Sequence, residues 1–245
     1  MQDRYAGDIG DFSKLGLLRR LRNKGFSIGI NWYAVPNEDH NDDGKHTKYL
    51  NSDDFKVCDE HLWQKLGQII ASKERRISLL TVDDILETTH FTERLDFSGM
   101  DRSERDSFRH DWHQKALSQL TGADIVFVDP DNGLIVDSAM GTKRENKYVF
   151  PEELCDYYNN GSSVIYYQHK GRKHDDFYLK RCEQLIREGQ FDGASGIIMK
   201  FRSTSQRYYC FIIHQEHYSA IKEAMDEMIA TAWGNHFSLI YPSSN

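Results

Sequence analysis

Residues 123–133 read ADIVFVDPDNG, and the class of fold follows from this stretch. Ile125, Val126, Phe127 and Val128 form a continuous apolar run without polar alternation, which marks a strand buried on both faces, as in a parallel sheet. Asp129 ends the run and residues 130–133 make a polar turn. Downstream, PEELCDYYNN from residue 151 carries Pro in its first turn with acids beside it, so a helix starts there. Gly161 stops that helix, and VIYYQHKGR (164–172) opens a second buried strand. Strand, helix, strand is the unit from which α/β sheets are wound.

The same order extends outward in both directions. In DIGDFSKLGLLRRL (8–21), Phe12, Leu15, Leu18 and Leu21 fall at helical spacing, with Asp8 or Asp11 available as the cap. FSIGINWYAVP predicts a strand from 26 to about 35, followed by the polar loop NEDHNDDGKH (37–46). Leu62, Leu66, Ile69 and Ile70 predict a helix over 59–71, and ISLLTV (77–82) a further strand. Residues 83–120 read as a charged, solvent-facing excursion that runs into a helix near 106–120. A helix over 175–188, a hairpin of IIMKF and YYCFII, a helix over 217–233 and a short terminal strand, FSLIY, complete the chain. The expectation is one α/β domain over residues 1–245, doubly wound, with a mostly parallel sheet and an antiparallel C-terminal hairpin.

Composition narrows the function classes. The 245 residues are 39% hydrophobic, 28% charged and 12% aromatic, with 17 Gly and 4 Pro, which excludes collagen-like and low-complexity classes. Four cysteines without a C-x-x-C pair write neither a zinc knuckle nor a disulfide framework, so a reducing cytoplasm fits best. No apolar run approaches the roughly 20 residues of a bilayer span, and the acidic opening MQDRYAGDIG is unlike a signal peptide. A formal charge of −7 argues against nucleic-acid binding by general counterion release, so a polyanion must be met by a local basic rim. Eleven histidines, several beside carboxylates, point to metal or proton-transfer chemistry.

In doubly wound sheets, ligands bind outside the carboxyl ends of the strands. That rule gives weight to three loops: 37–46, 129–133 and 168–172. Asp129 stands where a carboxylate faces the crevice, able to accept a hydrogen bond from an exocyclic amino group while the Asn132 amide fixes its orientation. D-P and N-G are also common turn dipeptides, so a plain strand-ending turn accounts for the same residues. Loop 37–46 offers His40, Asp42 and Asp43 as ligands for Mn²⁺, Mg²⁺ or Zn²⁺, or is a solvated acidic loop. In QHKGR, Lys170 and Arg172 suit phosphate contacts, His169 suits a general base, and Tyr167 could stack on a base. Pro130-Asp131 with Gln168-x-Lys170 also echoes a P-D…(D/E/Q)-x-K metal-dependent nuclease. Right-handed crossovers place these loops on one sheet edge, so they are predicted to converge.

At these residues the chain resembles a family. DIVFVDPDNG is similar to the D-P-P-Y motif of adenine-N6 methyltransferases, whose Asp and neighbouring carbonyl grip the target amino group beside the methyl donor. YAGDIGDFSKLGLLRRL resembles the opening helix of the large-subunit ribosomal RNA adenine-N6 methyltransferases, and GSSVIYYQHKGR their next strand. IIMKF with YYCFII resembles the terminal hairpin of the Rossmann-like methyltransferase fold. The chain also resembles a set of bacterial proteins with loops such as HNDDG, D-P-D-N-G and Y-x-H. The likeness spans most of the chain in order, through short motifs. It implies S-adenosylmethionine as cofactor and a nucleic acid as substrate, with Asp129, Asn132 and His169 catalytic. Asp8, Asp11 and Lys14 would then lie near the donor, and Tyr167, Lys170 and Arg172 at the nucleic acid. Two departures are visible: loop 37–46 has a single glycine where the family has a Gly-rich donor loop, and Asp131-Asn132 replace the motif's second Pro and its aromatic. A metal-dependent nuclease or phosphohydrolase, and a methyltransferase-like binding module without catalysis, are the alternatives.

Overall fold

The computed structural model describes residues 1–38, 44–203 and 206–241. The opening helix α1 (Ile9–Asn23) starts where Asp8 caps it, the Asp8 carboxylate accepting from the backbone N–H groups of Gly10 and Asp11. β1 (Ile28–Asn31), α2 (Glu60–Ala71), β2 (Thr89–Phe91), α3 (Arg102–Leu120) and β3 (Ile125–Val128) follow. The second half comprises α4 (Pro151–Asn159), β4 (Ser163–His169), α5 (Asp175–Glu188), β5 (Ser195–Phe201), β6 (Arg207–Ile213), α6 (Gln215–Ile229) and β7 (Phe237–Ile240). One seven-stranded sheet has the order β2-β1-β3-β4-β6-β5-β7. β2, β1, β3 and β4 pair in parallel, and β6 is antiparallel to both β4 and β5. The sheet is mixed α/β and Rossmann-like, closed by an antiparallel C-terminal hairpin.

Alternation along β3 shows why its sequence has no polar face. Ile125 and Phe127 point into a core shared with Phe12, Leu15 and Leu18 of α1 and with Met225 of α6. Val126 and Val128 point the other way, into a core with Trp112 of α3, Leu154 of α4 and Cys182 of α5. Helices cover both faces, so both must be apolar.

Two expected elements differ. Residues 77–82 do not form a strand: a 3₁₀ turn (Ile77–Leu79) and a short helix (Asp83–Leu86) bury Ile77 and Leu80, then Ile85 and Leu86. Ile77 and Leu80, three residues apart, suit a helical turn better than a pleat. The edge strand comes instead from Thr89–Phe91, inside the charged stretch 83–120, where only Phe91 is buried. β1 is also shorter than residues 26–35. It stops at Asn31, whose side-chain oxygen accepts from the Tyr33 N–H at 3.0 Å, and Tyr33 takes a left-handed φ of 42°. Among the described residues no helix is long and apolar enough to cross a membrane.

His90 links edge strand β2 to β1: its Nδ1 accepts from the Trp32 indole N–H at 3.1 Å. Burial lowers its pKa to about 4 from an ordinary 6.5. The folded state therefore binds fewer protons than the unfolded one between these values, and stability is lost as pH falls through that window. Removing this titration by His90→Asn is expected to flatten the pH dependence of the unfolding free energy in urea by about 2 kcal/mol, the full shift being reduced for partial exposure. A variant whose midpoint tracks the wild type from pH 7 to 4 would contradict this assignment.

Candidate active site

The first turn of α1 carries Asp8 and Asp11, and Lys14 lies one turn on, so the three project toward the carboxyl edge of the sheet. Lys14 Nζ is 3.0 Å from Asp11 Oδ1 and in direct contact with Asp129 Oδ2. Asp11, Lys14 and Asp129 are all buried. Burial pushes the Asp11 and Asp129 carboxyls above the ordinary carboxylate value, against the pull of Lys14. Burial also works against the Lys14 ammonium, but Asp129 and Asp11 outweigh it and hold its pKa above the usual lysine value. Two carboxylates thus share one ammonium at the head of a helix.

Asp129 leaves β3 in register, its N–H donating to the Asn31 carbonyl at 2.9 Å. The turn after it is held at several points. Asp131 accepts from Gln2 Nε2 at 2.8 Å and lies 2.7 Å from the Met1 amine. Gln168, near the end of β4, donates through Nε2 to the Asn132 carbonyl and accepts at Oε1 from the Leu134 N–H, both at 3.0 Å. Gly133 (φ 103°) runs against that amide: a Cβ there would lie 2.4 Å from Gln168 Oε1. Only glycine lets the turn pass so close to the side chain that holds it.

Opposite this turn stands Arg207, the first residue of β6 and the cross-strand neighbour of His169. Its guanidinium is buried between the rings of Tyr167 and Phe201, each centroid 5.8 Å away. It also reaches the head of α1, where a Cβ on Gly10 would lie 2.0 Å from Arg207 Nη1. The loop after β1 supplies a third wall through Glu38, Gly44 and His46, and Lys147 pairs with Glu38. Arg75 ties this wall to the first turn, donating to the carbonyls of Tyr5, Ala6 and Gly44.

These groups enclose a cleft of about 340 Å³. It brings together Asp8, Asp11, Lys14, Asp129, Asn132, Tyr167 and His169. The convergence follows from topology, since β3 and β4 run parallel and β6 enters from the same edge. Lys170 and Arg172 do not line the cleft. After His169 the chain turns toward the hairpin, the Lys170 N–H donating to Gln206, its ammonium lying 3.6 Å from Asp175, and Arg172 stays exposed. The metal ligands expected at His40, Asp42 and Asp43 lie outside the described residues. Among the described residues, no group of three His, Cys, Asp or Glu side chains is placed to hold a metal ion. Arg207 and Lys147 were not expected from the sequence, and Gln168, expected as part of the nuclease-like P-D…Q-x-K pattern, instead braces the turn after β3. Arg207 opens an apolar strand, and only the antiparallel register sets it beside His169.

No protein-family model and no curated protein matches the chain. Among solved structures, it is similar to a Legionella pneumophila str. Philadelphia 1 protein described under the family model DUF519. The two are 13% identical, 98% of each chain is covered, and the TM-score is 0.41.

Proposed function

We propose that the cleft binds S-adenosylmethionine and transfers its methyl group to an amino group of a nucleic acid. One observation carries this reading: Asp129, at the carboxyl end of β3, shares a single cleft with the charged head of α1 and with the loop after β1. In the methyltransferases that the sequence resembles, the amino-group acceptor, the donor-side helix and a Gly-rich donor loop would stand at these three positions, although the loop here has a single glycine. The reversed strand β6 between β4 and β5 agrees with the terminal hairpin of methyltransferase-type sheets.

The residues suit the donor. Its amino-acid end is a zwitterion, and the wall pairs cations Lys14 and Arg207 with carboxylates Asp8 and Asp11. The volume lies at the lower end of the roughly 300–1,000 Å³ typical of small-molecule sites. When bound, the donor supplies an electrophilic methyl group. Asp129 accepts a hydrogen bond from the target amino group and orients its nitrogen, and Gln168 fixes the turn that carries Asp129. His169, at the exposed mouth, takes the proton that leaves the alkylated nitrogen.

Asp129→Asn is therefore expected to lower transfer of labelled methyl to nucleic acid by about 10²-fold or more while the donor still binds. Undiminished transfer by this variant would remove Asp129 from the chemistry. A second reading, binding without transfer, draws on the contact between Lys14 and Asp129, because the ammonium already occupies one oxygen of the carboxylate that would grip an amino group. Donor binding with no transfer to any RNA or DNA offered would select it.

A further inference from the structure

Beyond the cleft mouth, residues 170–174, KGRKH, carry the chain from His169 to α5, and most of them are exposed. Phe177, in the first turn of α5, is 41% exposed. Its ring has Lys173 Nζ at 5.9 Å and Arg181 Cζ at 5.8 Å from the centroid, and rests edge-on against Tyr178. Residues 170–181 hold five Lys and Arg (170, 172, 173, 180, 181) against two Asp (175, 176) in a chain of net charge −7. Asp175 faces Lys170 at 3.6 Å but is bonded to Lys200 and accepts from the Tyr208 hydroxyl at 2.7 Å, held down to about 2 chiefly by Lys200, so among the described residues Arg172, Lys173 and Arg181 are not its partners. Tyr208 points to the opposite face of β6 from Arg207 of the cleft wall, and the surface joins the site through the chain itself, residues 170–174 running on from His169 at the cleft mouth.

We infer that Phe177, with Lys173, Arg172 and Arg181, is a landing surface for single-stranded nucleic acid on its way into the cleft. An exposed ring flanked by cations matches the alternation of base and phosphate along a single strand, in which every base has a free face to stack. A duplex keeps its bases stacked inside and offers the ring none. The inference rests on the nucleic-acid substrate of the proposed function and names the surface that receives it.

The test is fluorescence anisotropy of labelled twelve-residue oligouridylate and oligothymidylate with the full chain between 50 and 200 mM salt, with no methyl donor present. Phe177→Ala is expected to weaken binding by about 5- to 150-fold with an unchanged salt slope, and Phe177→Trp to retain it. Arg172→Ala with Lys173→Ala is expected to reduce the slope by about 1.4. Tighter binding of one oligomer identifies RNA or DNA as the ligand and supports the surface. Wild-type affinity in Phe177→Ala overturns it, as does equal wild-type binding of polyglutamate or of a duplex. Oligomer binding through Phe177 in a protein that takes no S-adenosylmethionine leaves the surface standing and removes methyl transfer. Methyl transfer with a neutral Phe177→Ala removes only the surface.

Discussion

Replacing Lys14 by methionine is expected to cost about 3–5 kcal/mol of folding stability at neutral pH, the range for breaking a buried ion pair from one side. The substitution keeps the length of the side chain and removes its charge. Asp11 and Asp129 would then be buried with no cation between them, beside the capping carboxylate of Asp8. For a chain of this size the loss corresponds to a fall in Tm of roughly 6–20 °C. Both carboxyls already sit above their ordinary value because of burial, and without Lys14 they rise further. The folded variant then binds more protons than the unfolded chain, so its deficit shrinks as pH falls from 7 toward 4. Asp129→Asn should behave differently, since Lys14 keeps Asp11 as its partner; a loss below about 1.5 kcal/mol is expected. Melting curves of both variants at pH 7 and pH 5 check this asymmetry. Equal losses, or a Lys14→Met deficit that grows on acidification, would contradict the charge balance described for the cleft.

Arg109→Met is expected to be as damaging, for a reason on the opposite face of the sheet. Arg109 forks onto Glu153 through Nε at 2.6 Å and Nη2 at 2.7 Å, donates to the carbonyls of Glu145 and Tyr148, and lies 3.9 Å over the Phe150 ring. Glu153 also accepts from the Tyr33 hydroxyl at 2.8 Å, which helps fix the backbone just past β1. Burial works against the Glu153 carboxylate, but Arg109 outweighs it and holds its pKa below the ordinary value. Its stabilising share is present above that ordinary value and is lost as pH falls through the folded one. Without the guanidinium a carboxylate stays buried, at a cost of about 3–5 kcal/mol, while Glu153→Gln leaves a buried cation that keeps an amide oxygen and the Glu145 and Tyr148 carbonyls as acceptors, and should cost less. Chemical denaturation at pH 7 distinguishes the two. Equal stability of Arg109→Met and wild type would show that the pair is not buried in solution.

What could be read from the chain depended on how far apart its partners lie. β3 was legible because burial on both faces leaves an unbroken apolar run, and α1 because cap and apolar spacing fall within fourteen residues. Asp129 and His169 were accessible to sequence because each ends a readable strand on the edge where ligands bind, whereas Asp8, Asp11 and Lys14 were assigned to the site only through the resemblance of the opening helix. β2 was hidden: three residues with one buried side chain carry no period. Residues 77–82 looked like a strand because β-branched and apolar residues cluster there, yet tertiary packing turned them into helical turns. Arg207 and Gln168 owe their places to register and to a turn closing on β4, which no local spacing encodes. The contact between Lys14 and Asp129 spans 115 positions and needed the fold itself.

Calorimetric titration of S-adenosylmethionine into the wild type and into Asp129→Asn, with Mn²⁺ titrated in parallel, tests most directly whether this cleft is a methyl-donor site. A methyl-donor cleft gives saturable one-site binding of the donor to both proteins, with no dependence of that binding on the divalent ion. Mn²⁺ binding to the wild type that is lost in Asp129→Asn, with no heat from the donor, would contradict a donor site and assign Asp129 to a cation instead.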